Sequence, residues 1–332
     1  MKRLETEISG KRLNPFFGNA AADYTRAIWP ETGNEIIDYE MFSKLNKDGL
    51  LGFVTTKTLT AETRKGNELP RFYIDNSLRN GIQSMGLPNV GIYNYPFEKC
   101  DAPTIVSYAG KDREETKAMT QYIGEKAKSN QNIFAVEYNL ACPNVPGCPS
   151  CYKEDSLEHL KAVRENTKLP IFAKIGYFVE DCKLIDFAKR SEDLGVNGFS
   201  AINSPPGMGI DVYSGRSVVK KYGGVFGEGL KPLAVRTVNI LHENTDSDII
   251  GIGGIYKYSD SIEFLLAGAN AVQISSKFIS EILKNKGAFT EIWDVKKDSC
   301  WEDFLSEFKT KTEHYMRKKD IWSLEEIIGK VE

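Results

Sequence analysis

A chain of 332 residues, 41 % of them hydrophobic, can build a large core, and as one unit that length suits an α/β barrel with insertions. Its formal charge of −3 gives no bulk attraction to nucleic acid or to an anionic membrane. No apolar run reaches the roughly eighteen residues of a membrane span, and Met1–Glu7 has no apolar stretch of signal-peptide length, so a cytoplasmic protein is expected.

The first predicted element is a hairpin over Glu7–Leu13, turning at Gly10 and placed to plug a barrel floor. Pro15–Ala22 follows as a short strand running into small residues. A helix over Tyr39–Leu50 leads to a β-branched strand, Gly52–Thr58, with Lys57 near its end. Glu62–Gln83 reads as a polar, irregular lid, interrupted by Pro70 and Gly81. Then come strand Pro103–Tyr108, helix Glu114–Ala127 and the apolar strand Ile133–Val136. Ser156 is the expected cap of a helix to Glu165, followed by strand Pro170–Ile175 with Lys174 near its end. Leu184–Leu194 has helical spacing, and strand Gly198–Ser204 runs through Pro205–Gly209 into a second lid. A glycine-rich turn, Gly223–Gly229, precedes helix Lys231–His242. Strand Asp248–Gly254, helix Ser259–Ala267 and strand Ala271–Ser276 complete the alternation, and the remainder is mostly helical and charged.

Eight apolar strands, most separated by a helical segment, predict a (β/α)8 TIM barrel with an N-terminal hairpin and lid insertions, one unit over residues 1–332. An open doubly wound sheet is the alternative. It is disfavoured because nearly every strand ends in Asn, Lys, Ser or Gly-Gly, and barrel sites collect at those ends.

The densest chemistry lies in Asn139-Leu140-Ala141-Cys142-Pro143-Asn144-Val145-Pro146-Gly147. One thiol sits between two carboxamides, which can hold a flat heterocycle by its N–H and C=O edges. A thiol there suits a base or nucleophile, and the plain alternative is a loop cysteine with two turn-forming asparagines. Gly253-Gly254 and Ser275-Ser276 stand where the last two barrel loops commonly bind phosphate, though glycines there also simply turn the chain. No G-x-G-x-x-G follows a first strand, so a mononucleotide such as FMN fits better than NAD. Lys57 and Lys174 face the same mouth, either solvated or beside a ligand that gains negative charge. Cys148-Pro149-Ser150-Cys151 reads as a redox pair, half of a metal site, or incidental thiols. A zinc site needs four ligands and His159, His242 and His314 are not at ligand spacing, so no metal is expected.

The cysteine loop resembles the catalytic loop of the class 1 dihydroorotate dehydrogenases, most of all the soluble class 1A enzymes. Asn14-Pro15-Phe16, Lys57-Thr58, Ser84-Met85-Gly86-Leu87-Pro88-Asn89, Lys174, Asn203-Ser204, Gly253-Gly254 and Ser275-Ser276 continue the similarity in the family's order. The resemblance implies FMN-dependent oxidation of (S)-dihydroorotate to orotate in de novo pyrimidine biosynthesis. It gives Cys142 the role of base at C5 while C6 delivers hydride to FMN, and sets Lys174 against the charge of the reduced flavin. FMN would be lined by Ala20, Ala21, Lys57, Thr58, Asn139, Lys174, Ile202, Gly227, Gly253, Gly254, Ser275 and Ser276. The substrate would meet Lys57, Gln83, Asn139, Asn144, Asn203 and Ser204, with its carboxylate on the backbone of Met85, Gly86 and Leu87. Class 1 relatives further imply a homodimer. Class 1A resemblance fits fumarate as electron acceptor, whereas class 1B enzymes pair with an iron–sulfur flavoprotein subunit. Charge and hydropathy give no nucleic acid or membrane partner.

Three departures qualify the match. Gln83 stands where class 1A enzymes usually carry asparagine, moving the amide by roughly 1.5 Å, one C–C bond. Pro205-Pro206-Gly207 alters one lid, and Cys148 and Cys151 alter the other. They leave open a same-family enzyme for another dihydropyrimidine or unsaturated cyclic acid. A barrel that binds a nucleotide phosphate without redox chemistry is the remaining reading.

Overall fold

The N-terminal strands β1 (Thr6–Ile8) and β2 (Lys11–Leu13) pair antiparallel across Ser9 and Gly10. Both turn residues are left-handed, with φ of 46° and 78°, as the tightest hairpins require. This hairpin closes the bottom of a barrel: Ile8 and Leu13 share an apolar cluster with Phe53, Ile105, Phe172 and Ile250 of the barrel wall. Ser9 donates through its backbone N–H and its hydroxyl to Asp248, at 2.6 and 3.0 Å. The computed structural model describes residues 4–22, 24–29, 31, 33–141, 154–285 and 300–331.

After the hairpin come β3 (Phe17–Asn19) and β4 (Val54–Thr55), then the insertion strands β5 (Phe72–Ile74) and β6 (Asn80–Gln83). The wall resumes with β7 (Thr104–Tyr108), β8 (Ile133–Asn139), β9 (Ile171–Ile175) and β10 (Gly198–Ala201). A second insertion holds β11 (Pro206–Gly207), β12 (Ile210–Asp211), β13 (Arg216–Ser217) and β14 (Gly223–Gly227), before β15 (Asp248–Ile252) and β16 (Ala271–Ile274). The helices are α1 (Tyr24–Ile28), α2 (Glu35–Lys47), α3 (Arg113–Ser129), α4 (Glu154–Asn166) and α5 (Asp181–Asp193). They continue with α6 (Lys231–Asn244), α7 (Tyr258–Leu266), α8 (Ser276–Lys284) and α9 (Cys300–Lys318).

Eight strands pair in the order β3-β16-β15-β10-β9-β8-β7-β4, each neighbour parallel. A parallel bridge from Gly18 to Phe53 brings the two end strands together, so the wall forms the expected (β/α)8 barrel. Gly18 is the residue that permits this seam, because a Cβ there would lie 2.6 Å from the Phe53 carbonyl oxygen. The wall strands are buried almost throughout, since helices cover a parallel sheet outside and its own side chains fill it inside. Helix starts follow local chemistry: the Asn34 side chain accepts from Ile36 and Ile37 at α2, and Asp112 from Glu115 at α3.

Three expectations need correction. Glu62–Gln83 is not irregular, because it contains β5 and β6. Gly223–Gly227 is not a turn but β14, which pairs with β6, so the two insertions form one antiparallel sheet in the order β11-β14-β6-β5. Ser156 does not cap α4. It lies within the first turn of a helix that already starts at Glu154.

Candidate active site

The C-terminal strand ends and the inserted sheet enclose a cavity with about 1090 Å³ of empty space, open solvent at its mouth included. From the first strands come Ala20 and Ala21 after β3, and Lys57 and Thr58 after β4. Asn139 ends β8, Lys174 lies on β9, and Ile202, Asn203 and Ser204 follow β10. The last two strands supply Gly253, Gly254, Ser275 and Ser276. The inserted sheet contributes Gln83, Gly227 and the loop Met85-Gly86-Leu87 as one wall, with Phe72 and Phe226 stacked there at 5.2 Å. Every described residue singled out in the sequence for a ligand therefore lines this one space. Cys142 and Asn144, like Cys148 and Cys151, lie outside the described residues.

The polar side chains hold one another in set orientations. Asn139 Nδ2 donates to Thr58 Oγ1 at 3.1 Å, and Asn139 Oδ1 accepts from Asn203 Nδ2 at 3.0 Å. Asn203 Nδ2 also donates to the Ala141 carbonyl at 2.6 Å, and Asn203 Oδ1 accepts from the Ser204 N–H at 2.9 Å. Two carboxamides, one ending β8 and one just after β10, thus fix each other, and Asn203 also holds the Ala141 carbonyl. Gln83 Oε1 accepts from the Met85 N–H at 3.0 Å, so this amide folds back over its own loop.

Below this layer lies a group the sequence reading did not single out. Glu137 is fully buried; its carboxylate accepts from Ser107 Oγ at 2.9 Å and pairs with Lys174 Nζ at 3.4 Å. Gln273 Nε2 stands 3.4 Å from the other carboxylate oxygen and 2.9 Å from Thr55 Oγ1. Gln273 lines the cavity too, and its Oε1 is buried without a hydrogen-bond partner. The signal for both residues was a polar side chain within an otherwise apolar run, Glu137 directly after Ile133–Val136 and Gln273 in Ala271–Ile274.

The opposite end of the cavity presents a helix start, two serine hydroxyls and bare glycine backbone. Ser275 and Ser276 open α8, whose first backbone N–H groups have no partner within the helix. At Gly254, with φ +76°, a Cβ would meet the Lys231 backbone nitrogen at 2.6 Å, so the wall there stays bare backbone. Tyr256 donates to the Arg79 carbonyl at 2.8 Å, and burial holds its phenol above the usual range. Ser280 of α8 donates to the Leu78 carbonyl, so the β5–β6 turn is tied to this helix.

The dihydroorotate dehydrogenase family model matches residues 22–292. The chain belongs to that family. Its members are flavin-dependent oxidoreductases, and the resemblance read from the motifs is to that extent upheld. A Pyrococcus abyssi protein named dihydroorotate dehydrogenase B (NAD(+)), catalytic subunit, is 37 % identical over 76 % of this chain and 83 % of its own. One of the same name from Methanocaldococcus jannaschii is 31 % identical over 98 % of this chain and 97 % of its own. An Aeropyrum pernix protein, provisionally named dihydroorotate dehydrogenase A (fumarate), is 32 % identical over 83 % and 87 %. Both class 1 acceptor types therefore stand among the relatives. A crystal structure of Eimeria tenella dihydroorotate dehydrogenase with ferulenol superposes with a TM-score of 0.73 over 98 % of this chain and 88 % of that one. At 19 % identity it supports the fold alone. Among the described residues, no helix is long and apolar enough to cross a membrane.

Proposed function

We propose that residues 1–332 act as one unit that binds FMN and oxidises dihydroorotate to orotate, in de novo pyrimidine synthesis. The observation that carries this reading is the meeting of two chemistries in one cavity. An anion-binding helix start and glycine wall lie at one end, and paired carboxamides with two lysines lie at the other. The residues fit FMN: the α8 start and bare Gly254 backbone suit its phosphate, and the orphaned Gln273 Oε1 suits a ring N–H donor. Bound there, FMN supplies an acceptor for two electrons and a proton from the substrate.

The chain's own groups do the rest. Asn139 and Asn203 orient the pyrimidine edge, and Lys57 and Lys174 provide positive charge beside the ring system. Cys142 takes the C5 proton. A free thiol titrates at about 8.5, so the rate of this step rises with pH as thiolate forms. Cys142→Ser slows flavin reduction by about 10²-fold or more at neutral pH, with FMN still bound. Unchanged reduction kinetics in that variant would remove Cys142 from the role.

The decisive experiment is anaerobic mixing of the purified yellow protein with dihydroorotate. Bleaching of the flavin band supports the reading, and a colourless protein or an unbleached band overturns it. Reoxidation of the reduced enzyme by fumarate, which we take as acceptor, is the second half of that experiment. One observation favours a second substrate. The Gln83 amide already occupies the Met85 N–H, one of the donors a substrate carboxylate would use. Faster bleaching by a dihydropyrimidine without that carboxylate would select this alternative.

A further inference from the structure

Glu137 has no part in the chemistry above, yet it holds a charge at the centre of the barrel. Its side chain has no exposure, and that of Lys174 retains 5 %. Ser107 Oγ, 2.9 Å away, and Lys174 Nζ, 3.4 Å away, share one carboxylate oxygen, and Gln273 Nε2 approaches the other at 3.4 Å. Lys174 and Gln273 line the cavity, whereas Glu137 stands behind them. A ligand on this floor therefore meets an ammonium whose charge is largely offset from the far side. An unpaired ammonium in the same place would act on the ligand with a full positive charge, little screened in a buried site.

We propose that Glu137 is a positioning residue that pins the Lys174 ammonium and offsets its charge, and so holds down the reduction potential of the bound flavin. This rests on the FMN reading given above. Hydride transfer brings two electrons and one proton to a neutral flavin, so the reduced ring carries one negative charge. A bare lysine would favour that charged form strongly over the oxidised one. The paired lysine favours it less, and the reduced enzyme then passes its electrons on more readily.

The test uses the flavin-loaded enzyme. Glu137→Gln keeps the shape and an acceptor for Ser107 but removes the charge. Its midpoint potential, from reductive titration against an indicator dye, is expected to rise. The ratio of reduced to oxidised FMN affinity should grow at least tenfold, which is about 30 mV for a two-electron couple. Glu137→Asp keeps the charge but draws it back by about one C–C bond, roughly 1.5 Å. It should give a smaller shift of the same sign. An unchanged or lowered potential in Glu137→Gln with FMN bound overturns the inference and leaves the FMN reading intact. Should Glu137→Gln fail to fold, Glu137→Asp decides alone, a rise supporting the inference and an unchanged value overturning it. Wild-type protein that holds no flavin overturns both.

Discussion

Strand β8 carries two buried polar clusters on its opposite sides, and they are built for different ends. Glu137 and Asn139 face into the barrel, where they meet Ser107, Lys174, Gln273, Thr58 and Asn203. Tyr138, between them, faces out and bonds His159 of α4 at 2.7 Å and Thr116 of α3 at 2.9 Å. The inner cluster contains a full ion pair and ends on the cavity with an unpaired acceptor. The outer one closes on itself: Thr116 reaches His159 Nδ1 at 2.7 Å, and the Gly110 N–H reaches the Tyr138 hydroxyl at 3.3 Å. On the cavity side one buried acceptor, Gln273 Oε1, is left open, whereas on the helix side the two hydroxyls and His159 Nδ1 bond one another.

The largest effect should come from breaking the ion pair. Lys174→Ala leaves the Glu137 charge uncompensated in the interior, which costs about 3–5 kcal/mol of stability. Flavin reduction should also fall by about 10²-fold, the scale of losing one preorganised electrostatic group. Urea melts and anaerobic stopped-flow read the two separately. A stable Lys174→Ala protein with normal kinetics would erase the contrast between the two faces of β8. Asn203→Ala, next in size, removes one hydrogen bond from the Asn139 amide and one from the Ala141 carbonyl. It should raise the substrate KM by about tenfold, the equivalent of one hydrogen bond of roughly 1.4 kcal/mol. An unchanged KM would separate these amides from substrate binding.

On the outer side, Tyr138→Phe removes one hydroxyl and leaves His159 with Thr116. It should cost about 1–2 kcal/mol in the melts, with flavin reduction unaffected. A kinetic defect of the Lys174→Ala size would show that the outer cluster acts on the cavity through the strand.

How much of this the chain revealed depends on the range of the interactions involved. The barrel strands were legible because most are short apolar runs ending near a polar residue such as Lys57, Asn139 or Lys174, a local signal. The hairpin was legible because Gly10 marks its turn. The inserted sheet was not, because β6 finds its partner β14 about 140 residues away and neither strand alternates clearly. Gly223-Gly224 carries no side chains to announce a strand, and both glycines are there because the lid packs closely. A Cβ at Gly224 would lie 2.7 Å from Ser204. Of the candidate site, the rim was readable from motifs. The floor was not, since Glu137 and Gln273 draw their meaning from neighbours on β7, β9 and β4 that only closure of the barrel supplies.

The smallest expected effect sharpens the comparison most, because it titrates one cluster and not the other. Burial lowers the His159 pKa; Asp112 and Asp155 oppose that shift without cancelling it, and Arg113 adds to it. In the unfolded chain the same imidazole takes its proton at about 6.5. Below that pH the unfolded state binds more protons than the folded one, so stability falls as pH falls, and it is fully present above the window. His159→Gln keeps a hydrogen-bonding side chain toward Tyr138 and Thr116 but cannot titrate. Urea melts between pH 5 and 8, a range spanning about 1.5 units on either side of the free value, should show wild type losing stability faster toward acid than the variant. His242 and His314 are common to both proteins and cancel in the difference. Parallel slopes would mean that the outer cluster accommodates the imidazolium, and the view of it as closed and neutral would fall.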